Sequence, residues 1–218
     1  MPELPYVEAN RQHLIYQGIV GNRITGYDLL LPKAFKTPIK DLPNIIDRDI
    51  CSVDRLGKFI VIDLDGLYLV SHLRMSGQLT LSNSTEAPHV HLRNVFHLLR
   101  NKALWFIDQR KFGEIWVTDE LSTFSSKLSP DPLGKHFTLD WLIKSTSNRK
   151  KSIKSLLLEQ NIVSGMGNIF ADEVLFLARI LPTTKPEEIS QYQYIKLHES
   201  IVRVLSDATT NMVNTNPL

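Results

Sequence analysis

Around residue 130 the hydrophobic pattern of this 218-residue chain changes period, and that change limits the folds open to it. Before it, short apolar runs alternate with turn signals. Phe59-Ile60-Val61-Ile62-Asp63-Leu64 and Leu67-Tyr68-Leu69-Val70 flank Asp65-Gly66, a pair that suits a tight hairpin turn because both residues tolerate positive φ. Residues 94–99 and 103–107 predict a second hairpin, with Arg100-Asn101-Lys102 at its turn, and residues 113–117 add a short strand. Several antiparallel strands with regular turns predict a sandwich or flattened barrel. Ahead of them Val7, Arg11, Leu14, Ile15 and Ile19 recur at helical spacing until Gly18 and Gly21 end the pattern.

Ser129-Pro130-Asp131-Pro132-Leu133-Gly134 reads as a linker, and beyond it the spacing is helical. Helices are predicted over residues 139–145 and 153–159, then through Ile169, Ala171, Val174, Leu175 and Ala178 up to a stop at Leu181-Pro182. A last one runs over about 186–207 on Ile189, Tyr192, Ile195, Ile201, Val202 and Leu205, and residues 209–218 read as a frayed tail. The fold class is therefore α+β. An N-terminal helix with an antiparallel β-sandwich occupies residues 1–130, a linker with a short helix 131–149, and an all-α domain 150–218.

Net charge is only +2, from 25 basic and 23 acidic residues, so the total does not announce a nucleic-acid partner. The distribution does. Residues 141–158 carry Lys144, Arg149, Lys150, Lys151 and Lys154 with no acidic residue, and Arg110-Lys111 and Arg55 with Lys58 form two further basic groups. Such groups beside turns and helix starts suit the tracking of phosphates. Cys51 is the only cysteine, which excludes an internal disulfide and a multi-cysteine zinc site. No apolar run approaches a membrane span and no secretory signal opens the chain, which fits an intracellular protein without a membrane partner.

Two stretches carry chemistry. Pro2-Glu3-Leu4-Pro5 follows Met1, and initiator methionine is normally removed before a small residue, which leaves Pro2 with a free secondary amine. At a reference pKa of roughly 7.7–8.0 a useful fraction is neutral near pH 7 and can form an iminium with an electrophilic carbon. Glu3 beside it can carry protons. The plain structural alternative is a helix start, where proline and acidic residues are both favoured. Gly165-Met166-Gly167-Asn168-Ile169 is a glycine turn leading into a helix, which suits an anion and equally suits a simple cap.

In combination these stretches resemble the formamidopyrimidine-DNA glycosylase and endonuclease VIII family of base-excision repair enzymes. The matching motifs run in the family's order. They are Pro2-Glu3-Leu4-Pro5 with Val7-Glu8, Gly57-Lys58, His72-Leu73-Arg74-Met75-Ser76-Gly77 and His89-Val90-His91. Asp108-Gln109-Arg110-Lys111-Phe112-Gly113, Ser129-Pro130-Asp131-Pro132-Leu133, and Ile153-Lys154 through Gln160 to Gly165-Met166-Gly167-Asn168-Ile169 complete the series. The likeness spans residues 2 to about 207 and implies that the helical domain is a helix–two-turns–helix module.

The resemblance implies a bifunctional DNA glycosylase and AP lyase, a monomer acting on damaged double-stranded DNA without a metal or organic cofactor. Pro2 would be the nucleophile, Glu3 the proton carrier, and Lys58 a catalytic phosphate contact. Met75, Arg110 and Phe112 match the trio that fills the gap left by an extruded nucleotide. His89, His91, Arg110, Lys154 and Asn168 match DNA contacts, and His72 is read as structural. Leu4 and the Arg110–Phe112 pair look like the formamidopyrimidine branch, whose targets are oxidised purines. Two features depart from the pattern. Tyr6 stands where the family usually has a glutamate, and the cysteines of the family's C-terminal zinc finger are absent, either by nature or because a domain is missing. A non-catalytic or weakly active DNA-binding paralogue is the alternative, and a small-molecule enzyme with an N-terminal proline is a remoter one.

Overall fold

A computed structural model of the chain describes residues 2–38, 42 and 44–215. It opens with α1 (Leu4–Tyr16), followed by strands β1 (Ile24–Leu29), β2 (Ser52–Leu56), β3 (Phe59–Asp63), β4 (Tyr68–His72) and β5 (Gly77–Asn83). Strands β6 (Leu92–Leu98), β7 (Lys102–Asp108) and β8 (Glu114–Thr118) complete the β-rich half. Helices α2 (Ser122–Ser125), α3 (Leu139–Thr146), α4 (Ile153–Leu157), α5 (Asn168–Ala178) and α6 (Gln191–Thr215) follow, with 3-10 turns at Pro32–Ala34 and Pro186–Glu188.

The strands form two four-stranded sheets, ordered β1-β6-β7-β5 and β2-β3-β4-β8, with antiparallel neighbours throughout. Ile60, Ile62, Leu69, Phe96, Leu104 and Phe106 fill the space between them. The β3–β4 turn holds Asp65 at φ 59 and Gly66 at φ 80, the conformation its sequence invites. At the β6–β7 turn Arg100 and Asn101 both take positive φ. Lys102, read as part of that turn, instead pairs with Leu98 as the first rung of the ladder.

Strand β1 is not visible in the pattern, because it is an edge strand in which Ile24 alone is buried. The opposite edge, β5, is covered by α1. Asn10 donates to Leu79 O at 2.6 Å and accepts from Leu79 N at 3.0 Å, and Gln17 makes the same pair of bonds with Leu81. Side-chain amides thus satisfy backbone groups that an open edge would leave unpaired.

A second apolar core gathers Leu142, Leu156, Leu157, Val163, Met166, Val174, Leu175, Leu197, Ile201 and Leu205. Phe137, from the stretch read as linker and short helix, belongs to it, and so does Leu4 from the first turn of α1. The tail reading is corrected here, since α6 remains helical through Thr215. Thr209 is buried and its hydroxyl donates to Leu205 O at 2.7 Å, so the helix continues on tertiary packing where sequence periodicity has faded. Residues 216–218 of the predicted tail lie outside the described residues.

Candidate active site

Where α1 begins, the chain start is held by the helical half of the molecule. Leu4 N donates to Gly165 O at 2.9 Å. The Glu3 carboxylate then turns away from its own helix and accepts from the backbone N–H groups of Gly167 at 2.9 Å, Ile169 at 3.0 Å and Phe170 at 3.2 Å. Glu3 is 4% exposed and therefore caps α5 from across the molecule, where a negative charge meets the positive end of the helix dipole.

Both glycines of the turn are required by this approach. A Cβ at Gly165 would lie 2.6 Å from Leu4 Cβ, on a residue whose φ is +81. One at Gly167 would lie 2.3 Å from Glu3 Cδ.

Pro2, half-buried, lines a cavity of about 310 Å³ together with Glu3, Tyr6, Met75, Ser76, Ile169, Phe170 and Met212. The volume is at the lower end of the roughly 300–1,000 Å³ usual for ligand pockets. Its walls come from α1, the β4–β5 turn, the start of α5 and the last turns of α6. Pro2, Glu3 and Met75 are thus brought together on one cavity. Met212 lies in the segment read as tail, so no signal marked it. Ser76, Ile169 and Phe170 sit inside quoted motifs but carry no chemistry that singles them out. A larger hollow of about 760 Å³ lies at the far end of α5, between Asp172 and Pro182, and contains none of these groups.

Electrostatics differ sharply among the polar groups nearby. Lys58, 8% exposed on the β2–β3 turn, has its pKa pushed down by burial, with the Glu3 charge opposing the shift. Gly57 beside it, at φ 57, leaves the turn within 3.5 Å of Gly165 N, measured from where a Cβ would stand. Burial pushes the Tyr6 phenol up, so it lines the cavity as a neutral group. His72 is held down to about 4 by burial and by the Arg74 charge, and its Nδ1 accepts from Arg74 N at 3.0 Å. A neutral, buried ring packed on Phe59 at 4.9 Å has a structural part to play.

The remaining predicted residues stand outside the cavity. Arg110 and Phe112 are exposed on the β7–β8 turn, with the guanidinium 5.4 Å from the ring centre. His89 and His91 lie on the β5–β6 connection with their rings 5.6 Å apart. Asn168 is exposed at the first position of α5. Lys154 pairs with Asp172 Oδ1 at 2.7 Å. Among the described residues no group of three or more His, Cys, Asp or Glu could hold a metal ion, and no helix is long and apolar enough to cross a membrane.

A β-sandwich and a helical domain that together clamp the first residues of the chain beside a cavity define a class of two-domain proteins built around their N-terminus. Comparison with known proteins makes the class specific. Residues 1–115 match the formamidopyrimidine-DNA glycosylase N-terminal domain, and residues 128–216 match the formamidopyrimidine-DNA glycosylase H2TH domain. The formamidopyrimidine-DNA glycosylase of Chloroflexus aurantiacus is 39% identical over 218 residues, covering 97% of this chain and 77% of the relative. That of Pelotomaculum thermopropionicum is 37% identical, covering 97% and 79%. The crystal structure of the Lactococcus lactis enzyme bound non-covalently to DNA containing an AP site superposes with a TM-score of 0.89 at 30% identity, over 96% of this chain and 82% of that one. Its complex with DNA containing FAPY-dG gives 0.90 at 29% identity, over 98% and 84%. The chain belongs to the formamidopyrimidine-DNA glycosylase family.

Proposed function

We propose that this protein is a bifunctional DNA glycosylase and AP lyase that excises oxidised purines from damaged duplex DNA inside the cell. The observation that carries the reading is the placement of Pro2 on an interdomain cavity, fixed by Glu3 and Leu4, one and two residues away. With Met1 removed, the Pro2 nitrogen attacks C1′ of the extruded nucleoside. The N–C1′ bond forms as the bond to the base breaks, and the base leaves with a proton supplied in the cavity. The aminal so formed gives up the amine proton and opens as the C1′–O4′ bond breaks and O4′ takes a proton. The resulting iminium withdraws electrons from the sugar, so C2′–H is lost and the 3′ phosphate departs, and loss of C4′–H in a second elimination expels the 5′ phosphate. An ionised carboxylate offers about four acceptor sites. Glu3 commits three of them to backbone donors and lines the cavity, which suits it to pass a proton at the sugar. Lys58, close enough to sense the Glu3 charge, meets the neighbouring phosphate.

Extruding a nucleotide costs a few kcal/mol and empties a place in the stack. Met75, Arg110 and Phe112 are exposed and suited to filling it, with His89, His91, Lys154 and Asn168 along the backbone. Borohydride reduction in the presence of abasic duplex tests the proposal. A covalent adduct that maps to Pro2 is expected; no adduct, or Met1 retained in the mature chain by mass spectrometry, overturns it. Tyr6 supports a narrower second reading, in which strand cleavage is intact but base release is slow, because a neutral phenol replaces a carboxylate near the amine. Comparing 8-oxoguanine duplex with abasic duplex in the same assay separates the two.

A further inference from the structure

We infer that Asp108 is a positioning residue that locks the gap-filling side chains into their working arrangement before DNA arrives; the inference rests on the glycosylase reading above. Asp108 ends β7 and is 0% exposed. Its Oδ1 accepts from the Ser76 hydroxyl at 2.5 Å and from Arg110 N at 3.1 Å, and its Oδ2 accepts from Gly113 N at 2.7 Å. The Ser76 hydroxyl also accepts from Arg110 N at 2.9 Å. One carboxylate therefore fixes both ends of the turn bearing Arg110 and Phe112 and joins it to the turn bearing Met75.

The backbone of Asp108 extends the junction to a third loop. Its N–H donates to His91 O at 2.9 Å, and its carbonyl accepts from Arg93 Nε at 2.8 Å. Lys111 takes a φ of 60 between Arg110 and Phe112, and a Cβ on Gly113 would lie 2.3 Å from Phe106 Cζ. The turn is thus narrow, and it is closed onto a buried acceptor that no solvent-facing function requires. Arg110, Phe112 and Met75 are all exposed. Their side chains gain no order from the core, so their spacing depends on the backbone that carries them. Setting that backbone in advance lowers the ordering cost of inserting the side chains into a stack.

The consequence is specific to duplex substrate. A single strand has no opposing base to face and no paired stack to refill, so the ratio of kcat/KM on abasic duplex to kcat/KM on the same abasic single strand reports the wedge alone. Asp108→Asn places an amide N–H against donors on one side of the junction. It is expected to lower that ratio about 10- to 100-fold, the size of one charge-assisted hydrogen bond. Because Asp108 is wholly buried, Ser76→Ala serves where Asp108→Asn does not fold. It is expected to lower the same ratio, with Ser76→Thr restoring it because the hydroxyl returns. A ratio unchanged from wild type, or an equal fall on both substrates, overturns the positioning role. A wild-type protein that cuts neither substrate overturns the glycosylase reading instead.

Discussion

Replacing Glu3 by Gln tests how firmly the chain start is built into the helical domain. The substitution keeps shape and one acceptor oxygen. Oxygen is best kept at the Oε2 position, where it serves Gly167 N and Phe170 N, so the new amide nitrogen faces Ile169 N–H. One hydrogen bond to a charged acceptor, worth about 1.5–3 kcal/mol, is lost. The favourable interaction of a negative charge with the α5 dipole, about 0.3–2 kcal/mol, goes with it. Glu3 is 4% exposed, so solvent screening recovers little of either. The sum, about 2–5 kcal/mol, corresponds to a fall in Tm of roughly 4–20 °C for a domain of this size. Differential scanning calorimetry of wild type and Glu3→Gln measures it directly, with the N-terminal processing of both checked by mass spectrometry. A change below about 1 °C would mean that the three donors find water as readily as they find Glu3, and the account of the clamp would be wrong.

Other outcomes follow from the same structure. Gly165→Ala should destabilise by more than about 2 kcal/mol, combining a left-handed residue with a collision at Leu4 Cβ, and urea denaturation checks it. The His72 pKa lies near 4 in the folded chain against 6.5 for a free histidine, so the unfolded chain binds the extra proton first. Stability is complete above about pH 6.5 and falls as pH drops toward 4, with roughly 2 kcal/mol lost by pH 5; His72→Gln should flatten this slope in urea titrations. Lys58→Ala should reduce the slope of log K against log salt for abasic duplex by about 0.9, the signature of one lost phosphate contact.

What the sequence reveals and what it hides follow from the range of the interactions. Asp65-Gly66 marks its hairpin because the turn needs only what two adjacent residues supply. The core strands read clearly because Phe59 to Asp63 and Leu92 to Leu98 carry their own apolar density. Strand β1 escapes because its pairing with β6 rests on backbone groups rather than on buried side chains. Met212 escapes because the last turns of α6 contain Thr209, Thr210, Asn211 and Asn214, and only packing against the rest of the fold makes that segment a wall of the cavity. Asp108 was legible in part. An Asp whose carboxylate accepts from the N–H two residues on is a common turn device, but its reach to Ser76 is a contact across 32 positions.

The helix start at Gly167-Asn168 shows how a correct local reading can still miss its partner. A glycine turn before a helix leaves N–H groups pointing outward, which reads as a cradle for an anion. The anion it holds is the chain's own Glu3, 164 residues away from Gly167. With Gly167, Ile169 and Phe170 engaged, Asn168 is the residue of that first turn not bound to Glu3 and exposed to solvent. If Asn168 grips the DNA backbone as proposed, a phosphate reaching this end of α5 meets its amide instead of an open ring of backbone donors. The same helix end fixes Pro2 through Glu3 and exposes Asn168, so the proposed nucleophile and the proposed phosphate contact share one rigid element. Their separation is set by the fold before substrate binds, and this is the geometric condition for attack at a sugar carbon next to a gripped phosphate.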